Sequence, residues 1–422
     1  MKVSAAPGVS GRRSRFRLAL VASHPVQYQA PWYRALSSFV DLRVFFAHRA
    51  TPADQARAGF GVEFEWDSPV VGGYEHEWLE NVARAPRVDR FLGCDTPGIG
   101  AILERRDFDA VLVNGWHLRC YWQAIRAARR AGLPVMVRGD SQLPTPRGVL
   151  RRTVKRLLYP RLLRSFDMCL AVGRRNADYY RYYGVPESRI VRSPHCVDND
   201  FFRRGAAEAR RESLPLRASL GVPDGAVVVL FAGKLIEKKR PLDLLRALDL
   251  VGRDRGDVYG VVVGDGPLKG QLDDHRARHL THCFLSGFLN QQDMARAYAA
   301  ADLLVLPSSG GETWGLVVNE AMAAGTPAIV SDEVGCAPDL VIEGKTGCSY
   351  PCGDVAALAG RIGQLAADAG LRSRMRAQAE EHIASFTPEK AAEGVLRALQ
   401  RLAWRAEDSL GTEPQQVANV SF

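Results

Sequence analysis

Short runs of apolar residues alternate with segments of helical periodicity, and the alternation occurs in two successive series along the chain. A short apolar run bounded by turn residues is typical of a buried strand, whereas apolar residues every three or four positions are typical of a helix. Helices are predicted at 123–131, 241–250, 294–300 and 319–324. The predicted strands are 16–23, 40–47, 109–114, 134–138 and 167–172 in the first series, and 226–233, 258–264, 283–287, 303–307 and 328–331 in the second.

Strands separated by helices indicate parallel sheets with right-handed crossovers, so the chain is predicted to be an α/β protein with two doubly wound, Rossmann-like domains facing across a cleft. Each domain then has its ligand-binding edge at the carboxyl ends of its strands. The segment between 200 and 226 is rich in arginine and poor in apolar residues, with Pro215 and Pro223 as breakers. The predicted divisions are a first domain at 1–205, a linker at 206–225, a second domain at 226–390, a helix at 391–405 that can cross back to the first domain, and a disordered tail at 406–422.

Length and composition agree with this organisation. A chain of 422 residues is too long for one ordinary core, and its 46% hydrophobic and 24% charged fractions are typical of a folded globular protein. No apolar run is long enough to span a membrane, and the apolar stretch after the basic start at 1–15 is too short for a secretory signal. We therefore expect a cytoplasmic protein. Cys348 and Cys352 have the wrong spacing for a zinc hairpin, so no metal site is predicted.

The formal charge of +9 is unevenly distributed. Within 147–164 the apolar residues Leu150, Val154, Leu157 and Leu158 repeat at helical spacing, which gives a helix one apolar and one cationic face. Such a segment fits peripheral contact with the anionic inner face of a membrane or with a phosphorylated acceptor, and it fits equally an ordinary surface helix packed on the core. No recognised nucleic-acid module accompanies the charge, so nucleic acid is not an expected partner. The basic residues are Arg147, Arg151, Arg152, Lys155, Arg156, Arg161 and Arg164.

A glycine-rich loop follows the predicted strand 303–307 and runs into the next predicted helix. Gly315 frees the backbone there, so that consecutive amides, including that of Leu316, can point at an anion at a helix N-terminus. Glu312 and Glu320 cannot hold phosphate, because like charges repel, but their carboxylates can accept hydrogen bonds from sugar and ribose hydroxyls. Amide donors for phosphate beside carboxylate acceptors for polyols suit a sugar nucleotide.

Complementary cations follow the first strand of the same domain, in the turn 233–241. Lys234 comes directly after the strand and Lys239 opens the next helix, so both can neutralise a pyrophosphate and stabilise a leaving nucleotide, as Mg²⁺ does in other enzymes. A solvated basic turn is the alternative. The carboxyl ends of parallel strands share one edge, so the turn and the two-glutamate loop should meet, which favours the pyrophosphate site.

Residues 312–347 read ETWGLVVNEAMAAGTPAIVSDEVGCAPDLVIEGKTG, which resembles the donor-binding signature of glycosyltransferase family 4, retaining enzymes of GT-B fold. The turn 233–241, VVGDGP at 262–267, the stretch 286–290 and Val197-Asp198 match the same family in order, so the resemblance covers most of 226–350. Trp314 stands where the family usually has phenylalanine, a tolerable exchange of one aromatic residue for another.

The resemblance implies roles for the donor residues. Of the two glutamates, Glu312 is expected to bind hydroxyls of the donor sugar and Glu320 those of the ribose. The two lysines are expected to hold the diphosphate, and the backbone near the glycine–phenylalanine pair after the third strand to meet the base. The implied donor residues are Lys234, Lys239, Gly287, Phe288, Glu312, Trp314, Gly315, Leu316 and Glu320.

Two short patterns are discounted. Gly264-Asp265-Gly266 lacks the third glycine of a dinucleotide fingerprint, because Lys269 stands in its position, so it is interpreted as a strand-end turn. Asp198-Asn199-Asp200 has the D-x-D form of metal-dependent transferases of another fold, but it lies far in sequence from the phosphate loop.

The first domain supplies candidate acceptor residues in the loop that follows its first strand. His24, Gln27 and Tyr28 should face the cleft and orient an acceptor. The loop resembles the opening of a subgroup of family 4 enzymes in which it replaces the more common Gly-Gly turn. The alternative is that Pro25 and Pro31 shape the turn and the histidine only satisfies backbone groups.

Two further loops end strands of this domain and offer a catalytic base. Many family 4 members have a histidine near the position of Asp140, where this chain has a carboxylate that can accept the acceptor hydroxyl's proton or bind its other hydroxyls. His117 could do the first task, and a substrate-shaping or core histidine is the alternative there. The choice between the two stays open at this point.

Taken together, the sequence predicts a retaining glycosyltransferase that moves a hexose-type sugar from a nucleotide-diphosphate donor to a hydroxyl of a glycan or lipid-linked acceptor, in cell-surface polysaccharide or glycolipid synthesis, without metal or cofactor. The expected catalytic residues are Lys234, Lys239, Glu312, Asp140 and His117. The alternatives are a catalytically silent sugar-nucleotide-binding module and another GT-B activity, a nucleotide-sugar epimerase or a phosphorylase.

Overall fold

The computed structural model describes residues 15–143, 149–212 and 215–409. The first sheet contains β1 (Arg17–Ala22), β2 (Asp41–Phe46), β3 (Glu75–Trp78), β4 (Ala110–Val113), β5 (Val135–Gly139), β6 (Met168–Ala171) and β7 (Ile190–Arg192). The second contains β8 (Val227–Ala232), β9 (Val258–Val263), β10 (Cys283–Gly287), β11 (Leu303–Leu306), β12 (Ala328–Ser331) and β13 (Gly347–Tyr350). The strand orders are β3-β2-β1-β4-β5-β6-β7 and β10-β9-β8-β11-β12-β13.

Every pair of neighbouring strands is parallel, and helices cross over between them. The described helices of the first half are α1 (Ala30–Phe39), α2 (Pro52–Gln55), α3 (Ile99–Arg105), α4 (Arg119–Arg130), α5 (Val149–Leu163), α6 (Arg174–Tyr182), α7 (Asn199–Arg211) and α8 (Pro215–Ser219). Those of the second half are α9 (Pro241–Gly252), α10 (Lys269–His279), α11 (Gln291–Ala300), α12 (Leu316–Ala323), α13 (Ala337–Leu340), α14 (Val355–Ala367), α15 (Ala369–Ile383) and α16 (Pro388–Ser409).

The predicted fold class, two doubly wound α/β sheets, is confirmed, and each predicted strand is present. Both sheets are covered on both faces, so successive side chains of one strand enter different cores. In β1, Ala19 and Val21 lie in one core and Leu18 and Leu20 in the other. Burial on both faces explains why these strands are continuous apolar runs without alternation.

Three strands, β3, β7 and β13, lack an apolar run and were not predicted. Each is an outermost strand of its sheet, of four, three and four residues. β3 consists of Glu75, His76, Glu77 and Trp78, none of them fully buried. An outermost strand pairs on one side only and is short, so its sequence carries little hydrophobic signal.

The segment predicted as a linker, 206–225, contains regular structure. It includes the second half of α7 and the whole of α8. Phe202 and Ala209 of α7 are buried in the same core as strands of the second sheet. Arg217 of α8 forms an ion pair of 2.6 Å with Asp302, which directly precedes β11. These helices therefore pack on the second sheet although they precede its first strand.

The final helix, α16, lies against the first sheet. Ala391 and Val395 are buried in the same core as Trp32 of α1. Gly394 allows the close approach, because a Cβ there would lie 2.2 Å from the carbonyl oxygen of Arg192. The chain therefore passes between the two sheets twice. Of the tail predicted to be disordered, 406–422, residues 410–422 lie outside the described residues and 406–409 end α16.

The basic segment 147–164 forms α5 over most of its length. Leu157 and Leu158 are 61% and 57% exposed, whereas Leu163 is buried and Tyr159 packs on the core. The two described side chains of the predicted apolar face, Leu157 and Leu158, are thus not covered by the protein. Arg147 and the side chains of 149–154 lie outside the described residues. Within the described chain, no helix has both the length and the apolar character needed to cross a membrane.

Candidate functional site

The two motifs predicted to bind a sugar nucleotide meet at the carboxyl edge of the second sheet. The basic turn follows β8 and the glutamate loop follows β11, and these two strands are neighbours. Ser309 N donates to the carbonyl of Lys238 at 2.9 Å and so joins the loop to the turn. The sequence prediction that both motifs share one cleft is therefore confirmed.

Gly315 starts α12 in a conformation that favours glycine, with φ 104° and ψ 63°. An added Cβ would lie 2.7 Å from Cδ2 of Leu306. The backbone amides of the first turn, among them that of Leu316, lie at the N-terminus of the helix, the end at which the helix dipole favours an anion. Two backbone hydrogen bonds hold the loop before it, from Gly335 N to Glu312 O at 2.9 Å and from Cys336 N to Trp314 O at 3.0 Å.

Glu312 and Lys239 form a direct ion pair at the centre of the site, and both side chains are largely buried. Lys238 Nζ lies 3.9 Å from the same carboxylate oxygen but is more exposed. Burial disfavours the ionised form of Glu312, yet the two ammonium groups outweigh it and hold the pKa of the carboxyl below its usual range. The carboxylate is therefore charged at neutral pH and able to accept hydrogen bonds.

Glu320, on α12, accepts a hydrogen bond of 2.6 Å from the hydroxyl of Tyr298. Burial raises its pKa to about 7, although that hydrogen bond and the charge of Lys239 act in the opposite direction. Tyr298 was not singled out from the sequence, since a tyrosine in a helix gives no signal of its own. The two glutamates thus have pKa values shifted in opposite directions although they lie on one loop–helix unit.

Lys234 points to the first domain as well as to the anion site. Its Nζ donates to the carbonyl of Ala58 at 2.6 Å and lies 4.3 Å from the centre of the Phe60 ring. Burial, followed by the charges of Lys239 and Lys238, lowers its pKa to about 8. The ammonium therefore faces a carbonyl and an aromatic ring of the other domain.

The predicted base-binding pair, Gly287 and Phe288, lies at the carboxyl end of β10. Gly287 has φ 73° and its carbonyl accepts from Gly264 N at 2.8 Å. The ring of Phe288 packs against Phe64, with ring centres 4.3 Å apart, and against Phe60 at 5.8 Å. The aromatic residues at 60 and 64 were not predicted as part of the site, although their density in a loop was a usable signal.

The predicted acceptor residues follow β1 at the carboxyl edge of the first sheet. Nδ1 of His24 lies 3.0 Å from Oγ of Ser23, and burial with nearby His48 lowers the pKa of the imidazole to about 4. Tyr28 lies edge-on to His195, and burial raises its pKa to about 12. Gln27 has a buried side-chain oxygen without a hydrogen-bond partner among the described residues. These side chains are neutral at physiological pH.

Asp140 reaches across to the donor loop, where its carboxylate accepts from the hydroxyl of Thr313 at 2.8 Å. Thr313 is adjacent to Glu312, so this carboxylate lies beside the predicted sugar-binding residue. His117 packs on Tyr121, with ring centres 5.6 Å apart, and loss of hydration lowers its pKa while Asp140 raises it.

Contacts between the domains hold the glutamate loop in place, and they were not predicted. Nε2 of Gln142 donates to the carbonyls of Gly310, at 2.8 Å, and Glu312, at 3.3 Å. Nε1 of Trp314 donates to Asn319 at 2.8 Å, within a buried group that includes the ring of His195. A glutamine after a strand is too common to be recognised as a loop clamp from sequence.

The two discounted patterns have structural roles. Asp198 caps α7 by accepting from Phe201 N at 2.9 Å, and Asp265 accepts from Gly266 N at 2.7 Å in a strand-end turn. Within residues 15–143, 149–212 and 215–409, no group of three or more histidine, cysteine or acidic side chains is arranged to hold a metal ion.

Two family profiles match the chain, one on each sheet. Residues 25–195 match the glycosyl transferase 4-like domain, and residues 213–382 match glycosyl transferases group 1. The two matches together include each predicted donor residue and each predicted acceptor residue except His24, which directly precedes the first match.

Curated relatives include D-inositol 3-phosphate glycosyltransferases. That of Nocardia farcinica is 28% identical over 307 residues, covering 69% of this chain and 64% of the relative. That of Streptomyces bingchenggensis is 35% identical over 239 residues, covering 54% of this chain and 51% of the relative. The chain thus matches about half to two thirds of the length of these relatives.

Solved structures with the same fold include a glycosyltransferase from Rickettsia africae, with a TM-score of 0.71 and 16% identity over 93% of this chain and 99% of that one. Another is Anabaena HepE in complex with UDP and glucose, with a TM-score of 0.66 and 17% identity over 93% of this chain and all of that one.

Proposed function

The chain belongs to the group 1 glycosyltransferases, and on this premise we propose that it transfers a hexose-type sugar from a nucleotide-diphosphate donor to a hydroxyl acceptor with retention of configuration. One observation carries the proposal: Lys239, Glu312 and the glycine-led tip of α12 converge at one sheet edge, with Asp140 of the other domain beside them. A site for the diphosphate, a carboxylate that accepts hydrogen bonds from sugar hydroxyls, and a base then meet in one cleft.

In the proposed reaction the acceptor oxygen forms a bond to the anomeric carbon while the bond from that carbon to the diphosphate breaks. Lys234, Lys239 and the amides at Gly315 and Leu316 take up the charge of the leaving diphosphate, the task of a metal ion in other transferases. The acceptor's proton passes to the carboxylate of Asp140, which also orients the hydroxyl. The leaving phosphate oxygen, on the same face of the sugar, helps to draw that proton from the hydroxyl.

For the acceptor we propose a glycan or a lipid-linked glycan at the inner face of a membrane. The support is α5, where exposed Leu157 and Leu158 stand beside cationic side chains. An apolar face with basic neighbours binds anionic lipid surfaces. The names of the relatives make D-inositol 3-phosphate the first small acceptor to try beside lipid-linked glycans.

The first experiment screens UDP-, GDP- and dTDP-sugars for thermal stabilisation, because a ligand that binds the native state raises its melting temperature. The stabilising donor is then incubated with acceptors, and the anomeric configuration of the product is read by NMR. Stabilisation without turnover would indicate a binding module. Isomerisation of the donor without acceptor would indicate an epimerase, and a requirement for inorganic phosphate would indicate a phosphorylase. Any of these three results contradicts the proposal.

A further inference from the structure

A segment of the first domain lies across the proposed donor site. We call residues 51–68, between β2 and β3, the strap. The strap begins at a capping box on α2, in which Thr51 and Asp54 exchange hydrogen bonds, and His48 anchors Asp54 at 3.2 Å. The start of the strap is therefore fixed near His24, a predicted acceptor residue, and its tip reaches the second sheet.

The tip of the strap contacts the groups expected to hold a nucleotide. The carbonyl of Ala58 accepts from Nζ of Lys234, and the ring of Phe60 lies 4.3 Å from the same Nζ. Phe64 covers the ring of Phe288 with 4.3 Å between ring centres. The strap thus contacts both the ammonium of Lys234, which a diphosphate would need, and the ring of Phe288, which a base would contact.

Other contacts of the strap with the second domain lie at its far end, residues 65–68. The hydroxyl of Ser68 donates to the side-chain oxygen of Gln291 in a partly buried hydrogen bond, and further hydrogen bonds lie at the surface. Nδ2 of Asn290 donates to the carbonyl of Glu65 at 2.8 Å, and Gln292 N donates to Asp67 at 3.0 Å. Both hydrogen bonds are exposed, where water competes for the same groups. The far end of the strap is therefore attached separately, and the contacts with Lys234 and Phe288 are made by the tip.

The backbone of the strap is suited to movement. Gly59 and Gly61 have φ of 98° and 76°, and Gly72 and Gly73 beyond it have φ of 106° and 75°. Glycines within the tip and after the strap allow the φ and ψ changes that a swinging loop needs.

We infer that the strap competes with the donor: the nucleoside diphosphate displaces the tip of the strap from Lys234 and Phe288 when it binds. A phosphate oxygen replaces the carbonyl of Ala58 on the lysine, and the base replaces Phe64 on the phenylalanine. The donor binds only molecules in which the strap does not cover the site. The apparent affinity for donor is therefore the intrinsic affinity multiplied by the fraction of molecules whose site is uncovered. This inference rests on the proposed function of the same site.

The test measures binding of UDP, GDP and dTDP by isothermal titration calorimetry to the parent protein and to a Phe60→Ala/Phe64→Ala double variant. The double variant removes the two phenylalanine rings of the strap, keeps Trp66 and leaves the donor residues intact. We expect its dissociation constant for the preferred nucleotide to be lower by about tenfold. Phe91→Ala, an exposed phenylalanine outside the strap, is the matched control and should bind like the parent.

An unchanged or higher dissociation constant in the double variant would overturn the inference and leave the proposed function standing. No binding of any of the three nucleotides to the parent or to the double variant would overturn both. Trp66 gives a second readout, because it lies in the strap against Phe64 with ring centres 4.8 Å apart. Added nucleotide should change the fluorescence of the parent more than that of Trp66→Phe, and equal changes would contradict displacement.

Discussion

The two sheet edges that face each other across the cleft differ in their electrostatics. At the second sheet, opposite charges are paired, with Lys239 against Glu312. At the first sheet, the ionisable groups after β1 are held neutral, since His24 has its pKa lowered to about 4 and Tyr28 has its pKa raised to about 12. The first arrangement suits an anionic leaving group, and the second suits an uncharged hydroxyl. Asp140 is the carboxylate that joins the two edges.

The two edges also differ in how they are built. The donor loop is one contiguous segment whose main-chain atoms make most of the contacts that hold it, with Gly335 N on one side and the side chain of Gln142 on the other. The acceptor side chains come from separate loops and are positioned by neighbouring side chains. A site built on one continuous segment can be recognised in the sequence as a motif, whereas a site built from side chains of separate loops cannot. Four experiments test this difference between the two edges.

The largest effect is expected for Lys239→Ala. Removal of the ammonium leaves Glu312 without its close partner and the leaving diphosphate without charge stabilisation, so kcat should fall by about 10³-fold. Steady-state kinetics with the preferred donor measures this. Lys238→Ala is the control, because that lysine is more exposed and 3.9 Å from the same oxygen, and it should cost less than about fivefold. Equal effects of the two substitutions would refute the assignment.

Asp140→Asn should lower kcat by about 10²-fold while donor binding stays unchanged, because the amide cannot accept a proton. His117→Ala is compared in the same assay and should have a much smaller effect, since its ring packs on Tyr121 while Asp140 contacts the donor loop. A larger loss for the histidine variant would reverse the two roles.

Gly315→Ala should destabilise the protein by about 2 kcal/mol, because the residue has φ 104° and the added methyl group meets Leu306. Urea unfolding measures the change. Gly363→Ala is the control within α14, where nothing lies within 4 Å of an added Cβ, and it should stabilise by up to about 1 kcal/mol. A destabilisation by both would show that the left-handed conformation is not the cause.

The smallest effect concerns pH. Glu320 has a raised pKa of about 7, so its carboxylate forms as pH rises through 7, and Lys234 has a lowered pKa of about 8, so its charge is lost as pH rises through 8. Nucleotide affinity should therefore be highest between these values and fall by up to about tenfold for each pH unit outside them.

Calorimetric titrations from pH 5.5 to about 9.5 would test this. Glu320→Gln should lose the acidic limb of the profile, and Lys234→Arg should lose the alkaline limb. A profile that stays the same in both variants would assign the titration to other groups.

The sequence was sufficient for the architecture and for the donor edge. Each predicted strand is present, because burial on both faces makes a strand such as β1 a continuous apolar run. The convergence of the Lys234 turn with the Glu312 loop followed from the rule that parallel strands end at one edge. Short outermost strands such as β3 gave no comparable signal.

Contacts between remote segments could not be predicted. Gln142 clamps the carbonyls of the glutamate loop from another domain, and Tyr298 donates to Glu320 from a neighbouring helix. Neither residue type is unusual at its position. The strap was missed for the same reason, since its partners Lys234 and Phe288 are more than 170 residues away in sequence. These side chains are brought together by the packing of two domains, which periodicity does not report.

The return of α16 to the first sheet means that the first half of the molecule is not a continuous piece of chain, because α16 joins it from the far end of the second half. A fragment ending before Pro388 would leave Trp32 and its neighbours exposed. A fragment beginning after Arg192 would contain α16 without the first sheet, on which that helix packs. Two segments of the chain connect the domains across the cleft. We therefore expect the domains to open mainly by rotation about the line through the two connections rather than by sliding.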